Sequence, residues 1–478
     1  MPSVPSASPA VPDSPAVSDS PAVSDSGRPV PPRLWRDGDF RRLWVGQTAS
    51  QLGEHGSLVV LPLIAVLTLD ADAGRLGALR AVGQAPILLL SLFVGAWVDG
   101  WRTRTVMVLA DLGRALALGA VAVAGLLGGV GLPALFVAAF TVGTLSVFFD
   151  VAYQASAVRL LRRDQLVRGN SALEGSRSAA QIGGPALGGA LVSLLSAPVA
   201  AASNALFFAL SVLSIRRIRR GESIPEPSDP ERSNLERSIS ERSEPESSER
   251  PPRVWRRIHE GLRFVAGDTS LRAVALASAA FQLSFAATMT VYLLFLPREL
   301  HLSGTAVGLA LAATGPGALL GSLLAARLPS RFGYGAVLVS AAVLGDGAML
   351  WVPALHGDSA MTVAALLAVN FVFGVFGQLV NVTVMAVRQA VTPDGMQGRA
   401  AATITFAGMG LTPLGSLLGG CLAQEWGLRT SLVVTAAGML LSPALIASSP
   451  LARLGRTLPA PEPAPREPVE LDRSDQGG

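Results

Sequence analysis

The apolar positions of this chain do not recur as the one-sided stripes of a soluble helix. They fill blocks of about twenty consecutive residues, the length at which a helix crosses a hydrocarbon core. Blocks run over residues 43–69, 76–98, 105–127, 132–158, 171–195 and 198–215. After a long polar interruption they resume over 273–296, 306–328, 335–352, 361–387, 400–422 and 431–446. The expected fold is therefore an all-α membrane protein with about twelve transmembrane helices, arranged as two pseudo-symmetric six-helix bundles. The pseudo-symmetry is read from echoes: Gly95–Arg104 after the second block recurs as Gly321–Arg331 after the eighth, and Gly184–Gly189 recurs near Pro413–Gly420. Both offsets are close to 230 residues, as for a duplicated six-helix unit.

The polar segments complete the domain plan. Residues 1–33 are rich in Pro, Ser, Ala and Val, lack the basic start and apolar core of a signal peptide, and read as a disordered cytoplasmic tail. Residues 34–220 form the first bundle. Residues 221–252, dense in Glu, Ser, Arg and Pro, read as a disordered linker. Residues 253–450 hold an interfacial helix followed by the second bundle, and 451–478 a second tail. In the interfacial helix Val254, Trp255, Ile258, Leu262 and Val265 share one face.

Charge placement orients the plan. Arginines follow the even-numbered blocks: Arg102 and Arg104, then Arg159, Arg162, Arg163 and Arg168, then Arg216, Arg217, Arg219 and Arg220. In the second half Arg327 and Arg331, Arg388 and Arg399, and Arg453 and Arg456 take the matching places, whereas the alternate loops are poor in basic residues. The positive-inside rule then puts both termini and the linker in the cytoplasm, and the protein in the cytoplasmic membrane.

Composition removes other classes. Half the residues are hydrophobic and 15% are charged, below the quarter or so usual in soluble chains. The net charge of +4 comes from arginine alone, since the chain has no lysine. With the arginines lying between apolar blocks, a nucleic-acid partner is not expected. The single cysteine, Cys421, can form no internal disulfide. Three of the four histidines lie outside the blocks, and neither a phosphate-binding glycine loop with lysine nor metal-ligand spacing is found; an enzyme, a cofactor and a metal are all unexpected.

Two motifs carry a resemblance. Gly95-Ala-Trp-Val-Asp99-Gly-Trp-Arg102-Thr-Arg104 is similar to the signature loop of the major facilitator superfamily, with Gly100 and Arg102 departing from its usual basic and glycine positions. Gly184-Pro185-Ala-Leu-Gly188-Gly189, with Gly175 upstream, resembles the motif of that superfamily's drug–proton exporters. Phe40–Trp44, Ser50–Gly53, Phe149–Gln154, Asn170–Ser178 and Gln397–Arg399 resemble the enterobactin-exporter and macrolide-efflux branch. The resemblance implies a secondary transporter that exports a small amphipathic molecule (drug, secondary metabolite or siderophore) by alternating access coupled to proton entry. Its implied partners are that substrate, protons and the lipid bilayer, and it is expected to act as a monomer. An uptake transporter and a non-transporting sensor or scaffold are the competing readings. One departure is plain: the fourth block lacks the buried arginine that drug–proton exporters use.

A charge at the bilayer centre is costly, so an intramembrane acid is a functional candidate. Glu54 lies about 18 Å along the first block from Arg42, where it could take up and release a proton. His55 beside it either shares that work or pairs with it. Gln47 and Gln51 share the Glu54 face and are expected to line the central cavity, or to bond a neighbouring helix. Asp111 and Arg114 can pair three residues apart, and a stabilising ion pair near the cytoplasmic end is expected. Gly95, Asp99, Arg102, Arg104, Asp150 and Arg159 are candidates for an inward gate. Phe281, Gln282, Phe285 and Tyr292 could form a pocket for a large amphipathic ligand, the alternative being that half of them face lipid. Asn370, Gln378 and Asn381, with Gly374 and Gly377, could line the substrate path or seat a neighbouring helix. Asp346 has no evident partner, and its role is open.

Overall fold

In lipid every backbone polar group must be satisfied within its own segment. The computed structural model, which describes residues 34–99, 101–160, 166–218, 262–392 and 397–457, is accordingly helical throughout those residues. The first half contains α1 (Gly38–Leu67), α2 (Ala73–Asp99), α3 (Thr103–Leu126), α4 (Leu132–Leu160), α5 (Leu166–Leu194) and α6 (Ala197–Arg216). The second contains α7 (Thr269–Arg298), α8 (Gly304–Ala325), α9 (Tyr334–Ala354), α10 (Ala360–Val391), α11 (Gln397–Met409 and Thr412–Trp426) and α12 (Leu428–Ala447). Most of the helices run several residues past the apolar blocks. Asp37, Asp268, Ser303 and Ser359 cap α1, α7, α8 and α10 by accepting backbone N–H groups. Residues 1–33, 219–261 and 458–478 fall outside the described residues, and with them the first tail, the linker, most of the expected interfacial helix and the second tail beyond 457. The end of that interfacial helix, 262–267, is helical. The start of the second tail is ordered rather than loose: Pro450–Arg453 forms a short helix with Leu451 buried, and the Leu454 and Gly455 carbonyls accept bonds from Gly335 and Tyr334.

Among the described residues, ten helices are long and apolar enough to cross a membrane. The helices α2 and α5 pack against α11 and α8 of the other half, and carry Arg75, Arg80 and Gln84, and Glu174 and Arg177. Prolines break two helices of the second half. Pro316 and Pro413 lack an N–H for the turn before them, and α8 and α11 are interrupted at Ala313 and at Gly410–Leu411.

The duplicated design is visible in the backbone. The α1–α2 and α7–α8 loops each hold a non-glycine residue in the left-handed region, Asp70 (φ 47°) and His301 (φ 54°). Each loop closes with the same pair of bonds: Leu69 and Ala71 N–H groups donate to Ile64 and Ala65, and Leu300 and Leu302 to Phe295 and Leu296.

Among the described residues the two halves touch from mid-helix to one end. At the face opposite the described termini, a single apolar cluster joins Val59–Val66 of α1, Leu76 of α2, Val291–Leu296 of α7 and Val307 of α8. At the terminal face the halves keep separate clusters, one around Phe40, Met107, Phe149 and Ile215, the other around Leu271, Leu338, Val387 and Ile446. The molecule is therefore closed at one face and parted at the other.

Small residues make the closure. Gly77 of α2 meets the backbone of Ser416 and Gly420 of α11, and Gln84 accepts a bond from Ser416 at 3.2 Å. Gly189 of α5 lies against Gly304 and Gly308 of α8, and Ser193 bonds Thr305. Arg298 at the end of α7 donates to Asp70 and to the Ala71 carbonyl, at 2.7 and 2.8 Å. A Cβ on Gly189 would press on the backbone of Gly304, which cannot give as a flexible side chain can. Gly189→Ala is therefore expected to cost about 1–3 kcal/mol, lowering the apparent melting temperature of the detergent-purified protein by several degrees. Gly175→Ala, whose new methyl meets open space, should leave it unchanged. Equal melting temperatures for the two variants would refute this account of the seam.

Candidate functional site

The polar centre of the first half forms around Arg114, the twelfth residue of the 24-residue α3. That corrects the expected position of the Asp111–Arg114 pair: it lies at the middle of the helix, not near its cytoplasmic end. Arg114 is fully buried. Its guanidinium pairs with Asp111, donates to Ser50 of α1 at 3.0 Å and Ser146 of α4 at 3.1 Å, and reaches Glu54 at 3.4 Å. The Ser50 hydroxyl donates onward to Asp111 at 3.0 Å. Above and below, the rings of Phe149 and Phe208 lie with centroids 4.6 Å away, so the cation is held by π faces as well as by carboxylates. The pairing follows from the sequence: Asp111 and Arg114 share a face at i, i+3, and small or hydroxyl residues leave room for a guanidinium. Among the described side chains α4 shows no buried arginine, and α3 supplies one against Ser146 and Phe149.

Glu54, at the middle of α1, is the member of this group that is open to space. Its side chain keeps 22% exposure and lines a cavity of about 270 Å³ with Arg80, Gln84, Ser146, Gln282 and Met409. His55 does not pair with it. Consecutive helix positions diverge by about 100°, and His55 packs against Gly184 of α5. Asp150 of α4 lies within electrostatic range of Glu54, Arg114, Arg177 and His55, which draws it into this central group. Gln47 and Gln51 are buried within the helix packing and do not line the cavity.

A second cavity, of about 360 Å³, lies in the other half between α7, α9, α10, α11 and α12. Phe281, Gln282, Gly377, Asn381 and Asp346 line it, with Arg388 in its wall. Gln282 and Met409 belong to the walls of both cavities, so the two adjoin across the seam. The remaining candidates of α7 and α10 are elsewhere. Tyr292 and Asn370 are fully buried and bonded to each other at 2.7 Å, in the closed core. Phe285 stacks between Phe281 and Phe373, at 5.4 and 5.7 Å. Gly374 seats α8 at Thr314, and Gln378 lies beside Gly321 of the same helix.

At the terminal face Arg102 is exposed, and Arg104 bonds the Arg216 carbonyl in a basic recess shared with Arg42 and Arg217. The side chains of Asp99 and Arg159 and the surroundings of Gly95 lie outside the described residues. The glycine motif of α5 divides its work. Gly184 and Gly188 admit α1 at His55–Gly56, and Gly189 admits α8, while Gly175 is exposed and packs against nothing. Sequence reading missed Arg80 and the reach of Arg114. Both arginines were visible, but the Ser50, Glu54 and Ser146 partners of Arg114 and the cavity beside Arg80 belong to other helices.

Two related six-helix bundles around adjoining midplane cavities define a membrane transporter of the major facilitator superfamily. A family model for transmembrane secretion effectors matches residues 34–478, and the chain belongs to that family. It is similar to the protein named multidrug efflux pump Tap of Mycobacterium tuberculosis, 27% identical over 404 residues covering 80% of this chain and 87% of that pump. The pump of the same name from Mycolicibacterium fortuitum is 27% identical over 405 residues, covering 81% and 90%. Among solved structures, a bacterial homologue of the iron transporter ferroportin in an inward-facing state superposes with a TM-score of 0.64 at 19% identity, covering 87% of this chain and 98% of that one. The nucleoside transporter NupG gives a TM-score of 0.65 at 12% identity, covering 86% and 98%. These likenesses carry the fold. The family and its pump relatives make the chain a multi-pass efflux-type transporter of small molecules rather than an enzyme.

The Arg114 group has a direct test. Arg114→Ala leaves buried carboxylates unpaired and should cost about 3–5 kcal/mol, seen as a large fall in melting temperature. Replacing the pair together, Arg114→Met with Asp111→Leu, should recover most of that loss. A double variant no more stable than the single one would mean the guanidinium serves no pairing role.

Proposed function

We propose that this protein exports a small amphipathic molecule (drug, secondary metabolite or siderophore) from the cell by alternating access, coupled to proton entry. The observation that carries the reading is the position of Glu54, a mid-helix carboxyl at the rim of a cavity on the seam and the outermost partner of Arg114. Arg114 keeps Asp111, Ser50 and Ser146 when Glu54 lets go. Glu54 can therefore gain a proton without leaving a bare guanidinium in the hydrocarbon, a requirement for any group that cycles there.

The arginine bias places both termini in the cytoplasm, and the cell membrane is the bilayer concerned. The parted face is then the cytoplasmic one, and substrate enters between the halves from inside. Arg298–Asp70 and the glycine seams α2–α11 and α5–α8 hold the outer side shut. Transport requires those seams to part while Phe40 and Leu271, on opposite halves, approach. Protonation of Glu54 from outside and its release inside drive the return. Because both cavities and their seam are complete within one chain, the unit of transport is the monomer.

Everted membrane vesicles test this with a compound to which a deletion strain proves hypersensitive. An inside-acid gradient should drive its accumulation in wild-type vesicles, and Glu54→Gln should abolish that response while equilibrium binding of the compound persists. Gradient-driven accumulation undiminished in Glu54→Gln would remove Glu54 from the coupling step.

A further inference from the structure

Asp346 is an intramembrane acid of the second half that the coupling scheme does not use. It is the thirteenth residue of α9, roughly 18 Å from the terminal face at 1.5 Å per residue. It is 5% exposed and lines the 360 Å³ cavity of the second half. Among the described residues it has no hydrogen-bond or ion-pair partner. A buried carboxyl is ordinarily paired or bonded. Here the pairing position is open to the cavity, and the walls beside it are apolar and aromatic: Phe281, Val384, Ile404 and Met409.

We propose that Asp346 is the anionic anchor of the substrate site and that the cargo is an organic monocation with a bulky apolar body. The contrast with Glu54 supports this. Glu54 already faces two guanidinium groups, Arg114 as its ion-pair partner and Arg80 across the same cavity, so that cavity repels cations. Asp346 faces none at pairing distance. Arg388 is the cation in its cavity wall, on α10 one turn from the end that faces the cytoplasm. By helix rise it lies about 13 Å nearer that face than Asp346. A ligand whose positive group sits at Asp346 lays its body toward Arg388, and a second positive charge at the far end is disfavoured. The shared residues Gln282 and Met409 put this ligand in reach of the Glu54 cavity. The assignment deepens the export reading by naming the class of cargo, and it rests on that reading only for the direction of travel.

Equilibrium binding to the full-length purified chain, with no gradient, tests it. Radiolabelled tetraphenylphosphonium is the probe, and triphenylphosphine oxide is its uncharged comparison. Wild type should bind the cation, and Asp346→Asn should weaken it at least about tenfold while changing the oxide less than about twofold. Asp346→Glu should bind the cation within about threefold of wild type. An Asp346→Asn chain that binds tetraphenylphosphonium within about twofold of wild type overturns the assignment. If Asp346→Asn loses both ligands, Asp346→Glu decides: restored cation binding supports the anchor, and failure to restore it overturns the anchor. A protein that binds the cation through Asp346 yet moves it in no vesicle sinks the export reading alone. Gradient-driven export of the cation undiminished by Asp346→Asn sinks this assignment alone.

Discussion

A guanidinium at the midplane of a bilayer must be neutralised where it stands, and Arg114 binds the first half together because of that requirement. Its partners come from α1, α3 and α4, and a phenylalanine of α6 closes one side. Four helices are thus fixed relative to one another by one cation. The consequence reaches beyond stability. With a cation and its carboxylates held in common, the charge on Glu54 cannot change without altering the field felt by α3 and α4. In the proposed coupling scheme, a proton taken up at the cavity rim would therefore act on the whole half as a rigid body.

The closed face depends on a different economy. Lipid offers no hydrophobic drive for helix association, so close backbone approach and interhelical hydrogen bonds must supply it. The α2–α11 and α5–α8 seams use glycine on both sides, with Ser416–Gln84 and Ser193–Thr305 as the polar contacts. At these two seams the contact is between backbones at glycine. By contrast, Tyr292–Asn370 and the Phe281–Phe285–Phe373 stack lie within the second half. The proposed rocking would rest on this division between what joins the halves and what fills one of them.

How much of this was legible in the sequence follows from where each signal resides. Block length and arginine placement are properties of single segments, so helix number and the six-plus-six plan could be read directly. The 230-residue echo reappears in the matching strained turns at Asp70 and His301. Helical spacing correctly joined Asp111 to Arg114, because both lie on one helix. It failed for Gln47, Gln51 and Tyr292, since a polar residue on an inward stripe faces either a cavity or a neighbouring helix, and only the neighbour decides. His55 was grouped with Glu54 by adjacency, although adjacent helix positions point apart. Arg80 and the reach of Arg114 to Ser50, Ser146 and Glu54 were invisible for the same reason: their meaning lies in residues of other helices, 32 to 64 positions away for Arg114.

In the proposed scheme the two acids are in opposite condition, Glu54 beside the seam and Asp346 within the second half. A group that carries protons must remain tolerable in both charge states. Glu54 meets that demand because its partner has other partners. A group that holds a cationic cargo must instead be incomplete until the cargo arrives, or the binding energy is already consumed within the protein. Asp346, buried and unpaired, has that incompleteness. Were one residue asked to do both, each proton would compete with each substrate at the same oxygen atoms and loading would depend on winning that exchange. Placing the acids on separate halves, with Gln282 and Met409 between their cavities, lets the competition act through the relative motion of the halves instead.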